Sequence, residues 1–160
     1  MKPLTAEWVQ KAESDYRAAA QLRRHEPALT NIICFHCQQC AEKYLKARLQ
    51  EADLAFPKTP SLTALLNLVL PVEPLWEAFR DSARALSRYG VETRYPGEDV
   101  SAEEADEAFA ACQSFRAEIR RSLGLDSPPS QRGFQVSERF AKYKVKRKRG
   151  RNRPERTAAR

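Results

Sequence analysis

An all-α fold, an up-and-down bundle of four long helices and one short helix, follows from three features of the sequence. Alanine, leucine, glutamate and arginine dominate the first 125 residues, and only five glycines occur among 160. That mix favours helix. Apolar residues recur at helical spacing in successive segments. Prolines, glycines and capping residues separate those segments at short intervals, as antiparallel neighbours require.

The spacing predicts a first helix from Thr5, a good N-cap, to about His25, with Trp8, Ala12, Asp15/Tyr16, Ala19 and Leu22 in register. Pro27 interrupts it. A second, long helix spans about Ala28 to Ala52. Pro57 and Pro60 break the loop ADLAFPKTPS, and Ser61 caps a short third helix, LTALLNLVL, that stops at Pro71. A fourth runs from about Glu73 to Tyr89. Leu75, Phe79, Ala83 and Leu86 line its inner side, and Gly90 serves as its C′ glycine. The segment VETRYPGEDV is irregular, because Pro96 and Gly97 forbid a continuous helix. Ser101 and Glu104 form a capping box that opens the fifth helix. Its buried stripe is Ala105, Ala108/Phe109, Cys112, Phe115, Ile119 and Leu123, and Gly124 closes it.

The net charge of +7 is unevenly placed. From Asp126 onward stand twelve Lys/Arg and three Asp/Glu, against sixteen and eighteen before it. Residues 1–125 therefore read as a near-neutral folded body and residues 126–160 as a basic, mostly disordered arm, too poor in apolar surface to fold alone. Within the arm, Lys142, Lys144, Lys146, Arg147, Lys148, Arg149, Arg151 and Arg153 are the candidates for contact with phosphate backbones, with Phe140 and Tyr143 available to stack. The alternative is a solubilising extension with no fixed partner. No apolar run approaches the ~18–20 residues of a membrane span. The N-terminus lacks a signal-peptide core. A cytoplasmic protein with reduced thiols is expected.

Three of the four cysteines crowd into the second helix as C-x-x-C-x-x-C, at Cys34, Cys37 and Cys40. An iron–sulfur run of the bacterial type needs a fourth cysteine followed by proline, where this chain has Tyr44 and Leu45. On one helix Cys34 and Cys40 lie roughly 9 Å apart along the axis and about 120° around it, so the three sulfurs cannot converge on one ion. They read as small apolar residues: Ile33, Cys37, Cys40 and Tyr44 form one stripe toward the core. No metal or other cofactor is expected. A second stripe is polar, with His36, Gln39, Lys43 and Lys46 on one face and Gln38 and Glu42 extending it. It is either a solvated face or a binding surface whose donors suit phosphate or carboxylate.

The run FHCQQCAEKYLKARL resembles the signature of HEPN domains (higher eukaryotes and prokaryotes nucleotide-binding), F-H-x-Q-Q-x-x-E-K-x-L-K-A on the second helix. Phe35, His36, Gln38, Gln39, Glu42, Lys43, Leu45, Lys46 and Ala47 match it. RYGVETRYPG resembles the family's R-Y-P-G segment before the last helix, and Trp8, Ala12 and Asp15 match its opening helix. The resemblance covers roughly residues 5 to 124. It implies a helical bundle, a nucleotide- or RNA-related role, a homodimer, and a minimal nucleotidyltransferase partner in a toxin–antitoxin setting. It also implies small residues at the positions of Cys37 and Cys40.

Ribonuclease members of the family use R-x4–6-H, and this chain departs from that pattern. Its only histidines are His25 and His36. The last helix holds Arg116, Arg120 and Arg121 without histidine, and Pro60 stands where a histidine is expected before the third helix. The expected function is therefore binding of a nucleotide or RNA through His36, Gln39, Lys43, Lys46, Arg94 and Tyr95. Arg94 offers a planar fork and Tyr95 a ring for stacking. Their structural alternative is Arg94 bridging to Glu42 and Tyr95 packing before Pro96. Two other functions stay open: a divergent metal-independent ribonuclease using His36 with Arg94, and a dimerisation protein without catalysis.

Overall fold

The computed structural model describes residues 1–91, 96–97 and 99–126. The basic arm from Ser127 onward, with its eight candidate cations, lies outside the described residues, as do Arg94 and Tyr95.

The described chain is all helical: α1 (Pro3–His25), α2 (Thr30–Glu51), α3 (Leu62–Val69), α4 (Arg80–Ser87) and α5 (Ala102–Ser122), with 3-10 segments at Pro74–Phe79 and Arg88–Gly90. α2 is the central element. It packs against α1, α3, α4, α5 and the Arg88–Gly90 turn. Twelve of its twenty-two residues are buried, and they cover all of the helix but a strip through His36, Gln39 and Lys43. The expected apolar stripe is there: Ile33, Cys37, Cys40 and Tyr44 are all in the core. Polar Gln38, Glu42 and Lys46 are buried as well.

Several helix ends fall where their local chemistry places them. Ser101 and Glu104 make the reciprocal capping box, Glu104 N–H donating to Ser101 Oγ at 3.1 Å and Ser101 N–H to Glu104 Oε2 at 2.9 Å. Ser61 Oγ accepts from Ala64 N–H at 3.2 Å to cap α3. Ser87 then accepts the otherwise orphaned N–H of Leu62 at 3.0 Å and donates to Ala83 O at 2.7 Å, joining α3 to α4. Gly124 follows α5 at φ +71°, a conformation that favours glycine, as expected of a C′ residue.

Three local expectations are corrected. Thr5 is not the N-cap of α1. The helix starts at Pro3, where a missing N–H costs nothing. Lys2 precedes it, its own N–H donating to Glu51 Oε2 at 2.9 Å and its ammonium to Glu51 O at 3.0 Å. That cation sits on the C-terminal carbonyls of α2, where it complements the helix dipole. Secondly, the fourth helix is composite. Its first six residues are 3-10, with three residues per turn, so the apolar phase is displaced. Leu75, expected inside, is 87% exposed, and Trp76 takes the core position at 2%. Phe79 is back in phase and stacks on Phe115 of α5, ring centroids 4.7 Å apart. Thirdly, Gly90 ends the last 3-10 turn without a positive φ. A Cβ at Gly90 would stand 3.1 Å from Gln38 Cδ, so the glycine is there for close approach to α2.

The displaced phase makes a contrast that urea unfolding can read. Trp76→Ala should cost about 3–5 kcal/mol through the cavity it leaves. Leu75→Ala, despite the inner place the helical pattern gives it, should leave the midpoint almost unmoved.

Candidate functional site

The predicted polar face of α2 divides into two clusters, each built around a carboxylate. The first is Asp15 of α1, brought opposite α2 by the long α1–α2 packing. His36 Nδ1 lies 2.9 Å from Asp15 Oδ1, and the Lys43 ammonium donates to Asp15 Oδ2. Burial would raise the Asp15 carboxyl, but the hydrogen bonds from His36 and Lys43 outweigh it and hold the group below its ordinary value of 3.8. With Nδ1 fixed on the carboxylate, Nε2 is the histidine nitrogen with no hydrogen bond to a described residue.

The second carboxylate is Glu42, 8% exposed. Oε1 accepts from the Lys46 ammonium at 2.6 Å. Oε2 accepts from Gln38 Nε2 at 3.0 Å and from Gln39 Nε2 at 3.4 Å. Gln38 also donates to Pro60 O at 2.9 Å, and its own Oε1 accepts from Gln39 Nε2 at 2.8 Å. Lys46 is 6% exposed, its ammonium 5.5 Å above the Trp8 ring. A carboxylate with three donors, and an ammonium between a carboxylate and an aromatic face, meet the conditions for tolerating buried charge.

The α2 stripe is therefore not a solvated face. Its lysines are neutralised one for one by Asp15 and Glu42. What opens beside it is a shallow pocket of about 330 Å³, between Gln39 and Lys46 of α2, Lys58 and Pro60 of the following loop, and Gly90–Val91. Lys58 is exposed and pairs with no described residue. Val91 stands three residues before Arg94 in the chain.

A further network closes the far side of the bundle. Glu13 of α1 takes both nitrogens of the Arg116 fork, at 2.7 and 3.0 Å, and the hydroxyl of buried Tyr44. Arg120 is held by Asp126 at 2.9 Å. Burial pushes the Tyr44 hydroxyl upward, with Glu13 adding to it. The arginines of the last helix are thus engaged by carboxylates, and α5 carries no histidine to work with them.

All four cysteines are free and buried. Burial, with Glu104 adding to it, pushes the Cys34 thiol up to about 12. Hydrogen bonds to Cys112 and burial push Cys37 and Cys40 up too. Ligation and nucleophilic attack need thiolate, which Cys34, Cys37 and Cys40 so raised do not supply, while the same hydrogen bonds shift the fourth thiol, Cys112, downward. Among the described residues no group of three His, Cys, Asp or Glu is placed to hold a metal ion.

Of the six predicted ligand residues, the structure brings His36 together with Lys43, and Gln39 with Lys46. Asp15, Gln38, Glu42 and Lys58 complete the arrangement. Sequence reasoning treats Asp15 as part of a helical register and Gln38 and Glu42 as an extension of the polar side. Their signal is present nonetheless: acids and amides on faces that otherwise bury apolar residues.

A family model described as the HEPN domain matches residues 5–122. Among solved structures, the chain is similar to the crystal structure of TT1696 from Thermus thermophilus, at 25% identity and a TM-score of 0.63, over 74% of this chain and 98% of that one. No curated protein matches.

The two clusters predict different responses. Glu42→Ala strands a buried ammonium and should destabilise the fold by about 3–5 kcal/mol in urea, whereas Asp81→Ala, which removes an exposed pair with Arg84, should leave the midpoint unchanged. Asp15 titrates lower folded than unfolded, so its stabilisation is complete above the ordinary value and is lost as pH falls through the lower folded one. Asp15→Asn should therefore lower stability at neutral pH and flatten the acid limb of the stability curve below about pH 4.

Proposed function

The chain belongs to the HEPN family, and from that premise we propose that it is a binding module for a nucleotide or RNA. The ligand lies beside α2 and is met by Gln39, Lys58 and the Arg94–Tyr95 segment. The observation that carries this reading is the pocket of about 330 Å³ next to Gln39 and Lys46, at the lower end of small-ligand sites. Within it, Lys58 is a cation not consumed by the fold. His36, Lys43 and Lys46 support the site from within, because Asp15 and Glu42 already hold them. Arg94 and Tyr95 follow Val91 closely enough to add a phosphate fork and a stacking ring. The eight cations from Lys142 to Arg153 would add sequence-independent attraction to a phosphate backbone. The family resemblance supports a homodimer and a minimal nucleotidyltransferase partner in a toxin–antitoxin-type system. An adjacent nucleotidyltransferase reading frame would bear on that setting.

One observation favours a second reading. A carboxylate on Nδ1 orients an imidazole and leaves Nε2 to move protons. Asp15 does this for His36, so a metal-independent ribonuclease using His36 with Arg94 is the alternative. Incubation with tRNA in EDTA separates the two: cleavage by the wild type that His36→Ala abolishes would replace binding with catalysis. A dimer seal made by Lys43 and Lys46 has less support, since both ammoniums are turned onto carboxylates of their own chain.

Titration of ATP, GTP and a short single-stranded RNA against the full chain tests the binding reading. Lys58→Glu should weaken the tightest ligand roughly tenfold, the scale of one charge-assisted hydrogen bond. No binding of any of them at millimolar ligand, with helical circular dichroism intact, would sink it.

A further inference from the structure

We infer that Gln39 makes the pocket beside α2 selective for nucleobases that carry an exocyclic amino group, an inference that rests on the nucleotide-binding reading above. Its origin is a backbone carbonyl. Pro60 O can only accept, and Gln38 meets it through Nε2 at 2.9 Å, with Glu42 Oε2 on the same nitrogen at 3.0 Å. Gln38 therefore points Oε1 the other way, at Gln39 Nε2, 2.8 Å distant. The same Gln39 nitrogen also faces Glu42 Oε2, at 3.4 Å. Flipping either amide would set oxygen against a carbonyl or a carboxylate. Gln38 is fully buried and packed against Gly90, so it has no room to adjust.

Both protons of the Gln39 amide are thus committed inward. Its Oε1 accepts from no described residue, and the side chain borders the open pocket. The pocket wall therefore presents a fixed acceptor. An N–H of a ligand satisfies it, while a keto or phosphate oxygen placed there is repelled. Phosphate belongs instead at Lys58, the cation of the same pocket that no described residue pairs. Adenine and cytosine present an amino group at the edge where hypoxanthine and uracil present a keto oxygen. An analogue that places a keto oxygen where the amino group stood sets oxygen against oxygen and leaves the Gln39 acceptor unpaired at that position.

Calorimetric titration of the full chain with ATP, ITP, CTP and UTP tests this. ATP should bind at least about tenfold tighter than ITP, and CTP than UTP, the discrimination of one hydrogen bond. Gln39→Met removes the acceptor at similar size and should bring both ratios to about one. Equal affinities within each pair for the wild type, or ratios that survive Gln39→Met, overturn the role of Gln39 while nucleotide binding stands. Failure of all four to bind overturns the inference, and the nucleotide reading falls with it where GTP and the short RNA fail as well. The wild-type comparison needs no variant, so the inference is tested even where Gln39→Met does not fold.

Discussion

The buried pair of Glu42 and Lys46 holds the rest of the arrangement in place. α2 is enclosed by α1, α3, α4, α5 and the turn at Gly90, so a polar side chain on it finds few waters. Each must find a protein partner or carry the penalty of an unsatisfied buried group. Glu42 resolves this for three neighbours at once. It takes the Lys46 ammonium on one oxygen and the Gln38 and Gln39 amides on the other. Gln38 then reaches Pro60, fixing the loop before α3, and lies against Gly90, fixing the turn after α4. The loops that form the pocket are thereby tied to one carboxylate in the middle of the bundle.

Helix existence and order were legible in the sequence because they depend on local chemistry. The capping box at Ser101 and Glu104 needs only residues three apart, and so does the Ser61 cap. The cysteine stripe was legible too, since helical geometry alone prevents its sulfurs from converging. The phase of the fourth helix was not. A 3-10 turn displaces the register by a fraction of a residue at each step, and it exchanges Leu75 for Trp76 at the core without a trace in composition. The cap at Thr5 failed for a related reason: Lys2 could be anchored by Glu51, forty-nine residues away, which no local pattern records.

The candidate site was half legible. His36, Gln39, Lys43 and Lys46 do fall on one side of α2, as their spacing requires. Their state could not be read, because it is set by Asp15 on another helix and by how completely α2 is enclosed. A run of His, Gln and Lys looks like a cationic surface when its carboxylates are out of sight. Once Asp15 and Glu42 are in place, the two lysines contribute no net charge, and the amides become oriented groups with a defined donor side.

For the binding function proposed above, that change decides where affinity and selectivity would reside. A neutralised cluster in a rigid frame attracts a polyanion weakly, because the ligand would have to displace carboxylates already at hydrogen-bonding distance. On the proposed binding reading, attraction falls to cations that pair with no described residue, of which Lys58 is the one beside the pocket. Such groups are screened by salt and tolerate many phosphate positions. The interior network has the opposite character. Its Gln38, Glu42 and Lys46 are buried, its amides cannot flip without breaking a bond to Pro60 or Glu42, and it therefore keeps one pattern of donors and acceptors toward the pocket. On the proposed reading, a cluster whose charges are spent on one another leaves geometry as the means by which α2 would distinguish one ligand from another.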